Sequence, residues 1–203
     1  MAPAPKRRWY QFSLKTLLLG MTVLCLGPGG YVVYEQGKAR RQKAAVAAIE
    51  KLGGKLIFDE RVPIRSAAIR QILGDDKYEA VVHVQLHTST KLTDGDLAHL
   101  ARLTKLTHLY LNHTQITSTG LAHLTRLKGL TELWLSGTQV TDTGLVHLDP
   151  LKGLAALMLN NTQVTDAGLV HLADLNSLTQ LQLDDTQVTD SGMVHLARLK
   201  GLA

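Results

Sequence analysis

The sequence predicts an α/β solenoid of 24-residue coils, with a parallel sheet on its concave face, short helices on its convex face and a transmembrane helix at its N-terminus. Three observations carry that expectation. The phrase LTHLYLNHTQITSTGLAHL (106–124) returns as LTELWLSGTQVTDTGLVHL (130–148), LAALMLNNTQVTDAGLVHL (154–172) and LTQLQLDDTQVTDSGMVHL (178–196). Its landmarks keep a fixed spacing: Thr114, Thr138, Thr162 and Thr186 fall 24 residues apart, as do His99, His123, His147, His171 and His195. Finally, Thr16–Tyr34 is a run of nineteen residues without a charge.

That run would be about 28 Å long as a helix, close to the thickness of a bilayer core. Gly27, Pro28, Gly29 and Gly30 weaken its second half, a defect lipid tolerates where the freed backbone groups find partners. Trp9, Tyr10, Tyr31 and Tyr34 stand near its ends, as interfacial aromatics do. An uncleaved signal-anchor fits best. A cleaved signal peptide would use the basic KRR and the run Leu17–Leu26, but no A-x-A-like site follows. Acylation at Cys25 is opposed by Leu24, where a small residue is wanted. Lys6, Arg7, Arg8 and Lys15 before the span nearly balance Lys38, Arg40, Arg41 and Lys43 after it. The short basic leader is the harder side to translocate, which places the protein as single-pass with its repeats extracytoplasmic.

Charge supports this division of the chain. Residues 1–91 hold 15 Lys/Arg against 7 Asp/Glu (+8), and residues 92–203 hold 7 against 10 (−3), so the net +5 belongs to the N-terminal part. No nucleic-acid partner is implied. The lone Cys25 excludes an intramolecular disulfide framework. Three segments result: a basic leader and anchor over 1–37, with membrane contact through 16–34; a capping region over 38–79; and about five coils over 80–203. In the cap, KARRQKAAVAAIEKL (38–52) places Ala45, Val46, Ile49 and Leu52 at helical spacing, and Gly53-Gly54 stops it. KLIFD (55–59) reads as a strand, IRSAAIRQIL (64–73) as a second short helix and AVVHVQL (80–86) as the first strand of the coils.

Each coil supplies seven aliphatic positions, which in the second are Leu130, Leu133, Leu135, Val140, Leu145, Leu148 and Leu151. Ordering 24 residues costs at least as much as burying seven side chains returns, so one coil cannot fold unaided and stacking is required. With L-x-x-L-x-L and LxLxxTxVTDxGLxxL in place, residues 81–203 resemble a leucine-rich-repeat protein. Together with FSLKTLL, AIEKLGG and LGDDKYEAVVHVQL, the layout resembles bacterial membrane-anchored leucine-rich-repeat proteins. The TDxGLxxL phrase is also similar to the repeats of F-box leucine-rich-repeat substrate receptors. That likeness stops at the repeat, because 38–80 does not look like an F-box. Two departures stand out. One extra residue between Leu86 and Thr90 predicts a bulge, and LKGLA (199–203) leaves the last coil's leucines uncovered.

What stays constant between coils reads as scaffold. Thr114 and its equivalents should turn the chain after the strand, their hydroxyls bonding backbone in adjacent coils. Thr141-Asp142 and Thr165-Asp166 look like helix N-caps, and Gly120, Gly144, Gly168 and Gly192 permit close packing or unusual backbone. The histidine column invites a metal reading, but zinc needs ligands converging at about 2 Å and neighbouring coils hold these rings too far apart. No metal and no cofactor is expected. Without a phosphate loop, nucleophile elbow or H-E-x-x-H helix, no enzyme is expected either.

What changes lies between the leucines. His108, Glu132, Ala156 and Gln180 precede the middle leucine, while Tyr110, Trp134, Met158 and Gln182 follow it. Asn112, Ser136, Asn160 and Asp184 come next, then His113, Gly137, Asn161 and Asp185. Alternation points these residues out of the core onto the concave sheet, where strands about 4.8 Å apart would align Tyr110, Trp134 and Met158 as an exposed stripe ending in the acidic pair Asp184-Asp185. The expected protein-binding surface is therefore His108, Tyr110, Asn112, Glu132, Trp134, Ser136, Met158, Asn160, Gln182, Asp184 and Asp185. The sequence does not identify the protein partner. The alternative role is a structural, oligomerising envelope scaffold that self-associates through the C-terminal coil.

Overall fold

A computed structural model describes residues 37–58, 81–87 and 91–202. The expected anchor over 16–34, the helix over 64–73 and the bulge between Leu86 and Thr90 fall outside the described residues. Within them, no helix is long and apolar enough to cross a membrane.

Helix α1 occupies 37–51 and turns Ala45, Val46 and Ile49 inward, each at most 2% exposed. Gly53, at φ +79°, ends it in the left-handed conformation that glycine adopts without strain. The chain then enters β1 (Lys55–Phe58), which leads a six-stranded sheet in sequence order: β2 (Val81–Gln85), β3 (His108–Tyr110), β4 (Glu132–Trp134), β5 (Ala156–Met158) and β6 (Gln180–Gln182). From β2 onward every neighbour is parallel, and Leu109, Leu133, Leu157 and Leu181 share one row. The pair β1–β2 differs, being antiparallel with an irregularity between Ile57 and Phe58. An irregular, antiparallel first strand covers the edge that β2 would otherwise offer to another chain.

Each coil returns through a short helical turn. Four-residue α-helices at Ser118–Leu121, Asp142–Leu145 and Asp166–Leu169 run directly into 3₁₀ segments at Ala122–Arg126, Val146–Leu148 and Val170–Leu172. All seven aliphatic positions of the second coil are fully buried, within one continuous core that runs from Ala45 to Leu199. The α/β architecture is thus a parallel sheet backed by short helices around a leucine core.

The constant threonines act differently from expectation. Thr114, Thr138 and Thr162 donate to the carbonyls of Leu111, Leu135 and Leu159 in their own coil, at 2.7, 2.6 and 2.7 Å. The side chain is short and already beneath its own strand end, so the carbonyl three residues back is the partner it meets. The threonines whose hydroxyls do bond backbone in the adjacent coil are Thr107, Thr131 and Thr179, which donate to the carbonyls of Val82, Thr107 and Ala155.

The capping aspartates also reach further than expected. Asp142 accepts from the backbone N–H of Thr165 at 2.8 Å and from its hydroxyl at 2.7 Å, one coil ahead. Asp166 does the same for Thr189, and Asp94 for Thr117. Ser118 takes this place in its coil, its Oγ accepting from Thr141 N–H at 3.0 Å. Within the coils, the threonine itself caps: Thr117, Thr165 and Thr189 accept from the N–H two residues on. The carboxylates explain the glycine column. A Cβ on Gly120, Gly168 or Gly192 would overlap Oδ1 of Asp94, Asp142 or Asp166. Glycine is required there for space.

Candidate functional site

Two rows of side chains stand on the outer face of the sheet. The first contains His83, His108, Glu132, Ala156 and Gln180, and the second Gln85, Tyr110, Trp134, Met158 and Gln182, each in lateral register. Three-residue strands produce this directly, because the middle residue faces the core and its two neighbours face away.

The N-terminal half of this face is a coupled network. Tyr110 and Trp134 have ring centroids 4.4 Å apart at 46°, a close tilted contact at the short limit for aromatic pairs. Glu132 joins the rows, accepting from Tyr110 Oη at 3.0 Å and pairing with His108 Nε2 at 3.3 Å. On the other side, His108 Nδ1 lies 2.7 Å from Thr107 Oγ1. That hydroxyl also donates to Val82 O at 3.0 Å. His83 stacks on His108 with centroids 3.7 Å apart. Burial and the neighbouring His108 lower the His83 pKa, against a smaller upward pull from Glu132. Tyr110 is pushed up to about 12, first by burial and then by its hydrogen bond to the Glu132 carboxylate and that group's charge. Beside the aromatic pair opens a cavity of about 320 Å³, lined by Gln85, His87, Tyr110, Asn112, His113 and Trp134. The indole Nε1–H of Trp134 is buried without a hydrogen-bond partner among the described residues.

The structure brings His108, Tyr110, Glu132, Trp134 and Gln182 onto one face and assigns other expected site residues to the scaffold. Met158 is in register between Trp134 and Gln182 but only 8% exposed, since large neighbours one strand away shelter the flexible thioether. The exposed stripe therefore narrows to Tyr110 and Trp134. Asn112 and Asn160 spend their Oδ1 atoms on the N–H groups of Ser136 and Asp184, each at 3.0 Å. Asp185 belongs to a turn column with His113, Gly137 and Asn161, at φ values from +52° to +68°. Backbone conformation selects Gly, Asn, Asp and His at that column, so Asp185 is not a strand-face residue paired with Asp184. Ser136 and Asp184 follow the strands, Ser136 half-buried and Asp184 exposed. Sequence reasoning missed His83 and Gln85, whose alternation in VVHVQL was the available signal.

This architecture is that of a leucine-rich repeat. Residues 104–153 match the family Leucine Rich repeats (2 copies), and residues 174–197 match the family Leucine Rich repeat. Among solved structures, the chain is similar to an internalin from Listeria monocytogenes, with 23% identity and a TM-score of 0.41 over 60% of this chain and 39% of that one. It is also similar to an internalin C2 from Listeria monocytogenes, with 24% identity and a TM-score of 0.47 over 64% of this chain and 73% of that one. The chain thus spans well under half of the first internalin's length. No curated protein matches it.

Proposed function

We propose that the chain is a non-enzymatic interaction module that binds a protein partner through its concave face, centred on Tyr110 and Trp134. The observation that carries this reading is the half-exposed aromatic pair bordering an open cavity. Large aromatics held rigid by neighbours supply contact area at low entropic cost and dominate many protein interfaces. The network through Glu132 and His108 fixes the pair before any partner arrives. The uncharged stretch 16–34 would display the module from a membrane.

The test is site-specific photo-crosslinking of the full chain in membranes from its source. A crosslinker at Gln180 on the concave face should capture a discrete partner, and one at the exposed convex residue Val194 should not. Adding Trp134→Ala should abolish capture while circular dichroism remains unchanged. Equal capture from both faces, or capture indifferent to Trp134→Ala, would reject the concave-face reading. A second reading, lateral stacking of copies, draws support from Leu181, Leu183 and Val188, which are only partly buried at the β6 flank. It predicts concentration-dependent association that charged substitutions at those positions suppress.

A further inference from the structure

We propose that the cleft between helix α1 and the helical turns of the first two coils is a binding site for a phosphate-bearing anion. The cleft has a volume of about 450 Å³ and is lined by Lys38, Arg41 and Gln42 from α1, with Ala98, Ala101, Arg102 and Thr104 from one coil and Arg126 from the next. Four cationic side chains thus converge from three separate stretches of chain, and its described lining contains no carboxylate. No ion pair engages Arg41, Arg102 or Arg126 among the described residues.

This concentration of like charge has a cost. Arg41, Arg102 and Arg126 around one cleft repel one another, and a free-standing scaffold would gain by dispersing them or interleaving acids. Elsewhere the solenoid does interleave them: Lys152 pairs with Asp149, and residues 92–203 are net acidic by three charges. An anion in the cleft removes the repulsion. Arginine's planar fork matches phosphate oxygens, which favours phosphate over a monovalent anion such as chloride.

A second observation points to the same ligand. Gln42 is 2% exposed, lines the cleft, and its Oε1 has no hydrogen-bond partner among the described residues. A buried amide acceptor is ordinarily satisfied. A monoprotonated phosphate offers both requirements at once, anionic oxygens for the arginines and a P–O–H donor for the amide oxygen. Two sources share this chemistry, a soluble phosphate ester and the headgroup of an anionic lipid. Lys38 follows the uncharged stretch 16–34 by only four residues, which would bring the cleft to the lipid surface if that stretch is embedded.

The full chain in zwitterionic detergent, observed by amide NMR, separates these outcomes. Titration with inorganic phosphate should shift the amides of Gln42, Ala98, Ala101 and Thr104, while chloride at equal ionic strength leaves them in place. Arg102→Glu and Arg126→Glu should each weaken binding by about tenfold or more, the loss expected of a charge-assisted contact replaced by repulsion. Arg198→Glu, an exposed change in the last coil, should leave it unaltered. Gln42→Leu should erase the preference for phosphate over sulfate, a readout that a purely structural glutamine would not move. Dihexanoyl phosphatidic acid binding at least about tenfold more tightly than inorganic phosphate would assign the site to a lipid headgroup, and equal affinities to a soluble ester. Shifts that chloride reproduces, or that survive both arginine reversals, would overturn the site.

Discussion

Replacing Gly168 by alanine tests whether the coils are joined by carboxylates. On helix propensity alone the substitution should help, since alanine exceeds glycine by about 1 kcal/mol in a helix. The structure predicts the opposite. The new Cβ would overlap Asp142 Oδ1 and approach Leu145 Cδ1 to 3.0 Å. Relief requires Asp142 to withdraw from Thr165, giving up bonds of 2.8 and 2.7 Å to its N–H and hydroxyl. Hydrogen bonds to charged groups contribute about 1.5–3 kcal/mol each. Partial exposure places these at the low end, so the net loss is about 1–3 kcal/mol after the propensity gain. Urea unfolding of the full chain should show a lower midpoint at unchanged slope. Gly144→Ala is the internal control: it faces Ser118 Oγ at 2.9 Å, an uncharged hydroxyl whose bonds to Thr141 are weaker than those of a carboxylate, so its cost should be smaller. Combining Asp142→Ser with Gly168→Ala should cost less than the sum of the two. A stabilised Gly168→Ala, or one indistinguishable from Gly144→Ala, would refute the ladder as the reason for the glycine column.

Further predictions concern single positions. Ser118→Asp should stabilise by about 1 kcal/mol, because Gly144 already leaves the space a carboxylate needs; a lower urea midpoint would contradict this. Thr138→Val should cost about 1 kcal/mol by removing the hydroxyl's bond to the buried Leu135 carbonyl, which keeps only the Thr138 N–H at 3.2 Å. The same change at the more exposed Thr186 should cost measurably less. Tyr110, raised to about 12, keeps its proton in the folded protein where an unfolded tyrosine loses it. Its stabilising contribution is therefore complete below about pH 10 and lost as pH rises towards 12. Absorbance titration near 295 nm should show one late phenol, which Glu132→Gln moves earlier.

The coils were legible because their period is written in leucines, and burying Leu130, Leu133 and Leu135 admits only one stacking direction. The concave positions were legible for the same reason, as alternation around a buried middle leucine leaves no choice of face. Partners one coil away were not. Asp142 precedes a helix and looks like its cap, yet its carboxylate serves Thr165, 23 residues on. Nothing local distinguishes these outcomes until coil separation is known. Exposure was similarly hidden at Met158, whose cover comes from residues 24 positions away in either direction. The turn column ending in Asp185 was open to a better reading, since His, Gly, Asn and Asp are residues that accept positive φ.

The histidine column acquires a physical role from the same ladder. Asp94 is held below the usual carboxylate range even though burial pushes it upward. Hydrogen bonds from Thr117 and Thr119 outweigh that burial, and His123 adds its charge. For Asp166 the N–H and then the hydroxyl of Thr189 lead, and His195 again contributes. Each of these two histidines lies one coil beyond the carboxylate it stabilises, so His123 and His195 reinforce their junctions when protonated. A depressed carboxylate contributes stability that is fully present above its unfolded pKa, near 4, and lost as pH falls through the folded value. Below pH 4 the junctions should therefore weaken one carboxylate at a time, visible as carboxyl carbon shifts of Asp94 and Asp166 that lag behind those of exposed aspartates. His123→Gln should move the Asp94 midpoint upward and leave Asp166 unchanged, and His195→Gln should do the reverse. If both variants left both midpoints in place, the histidines would be packing residues alone, and the ladder would rest on threonine and aspartate.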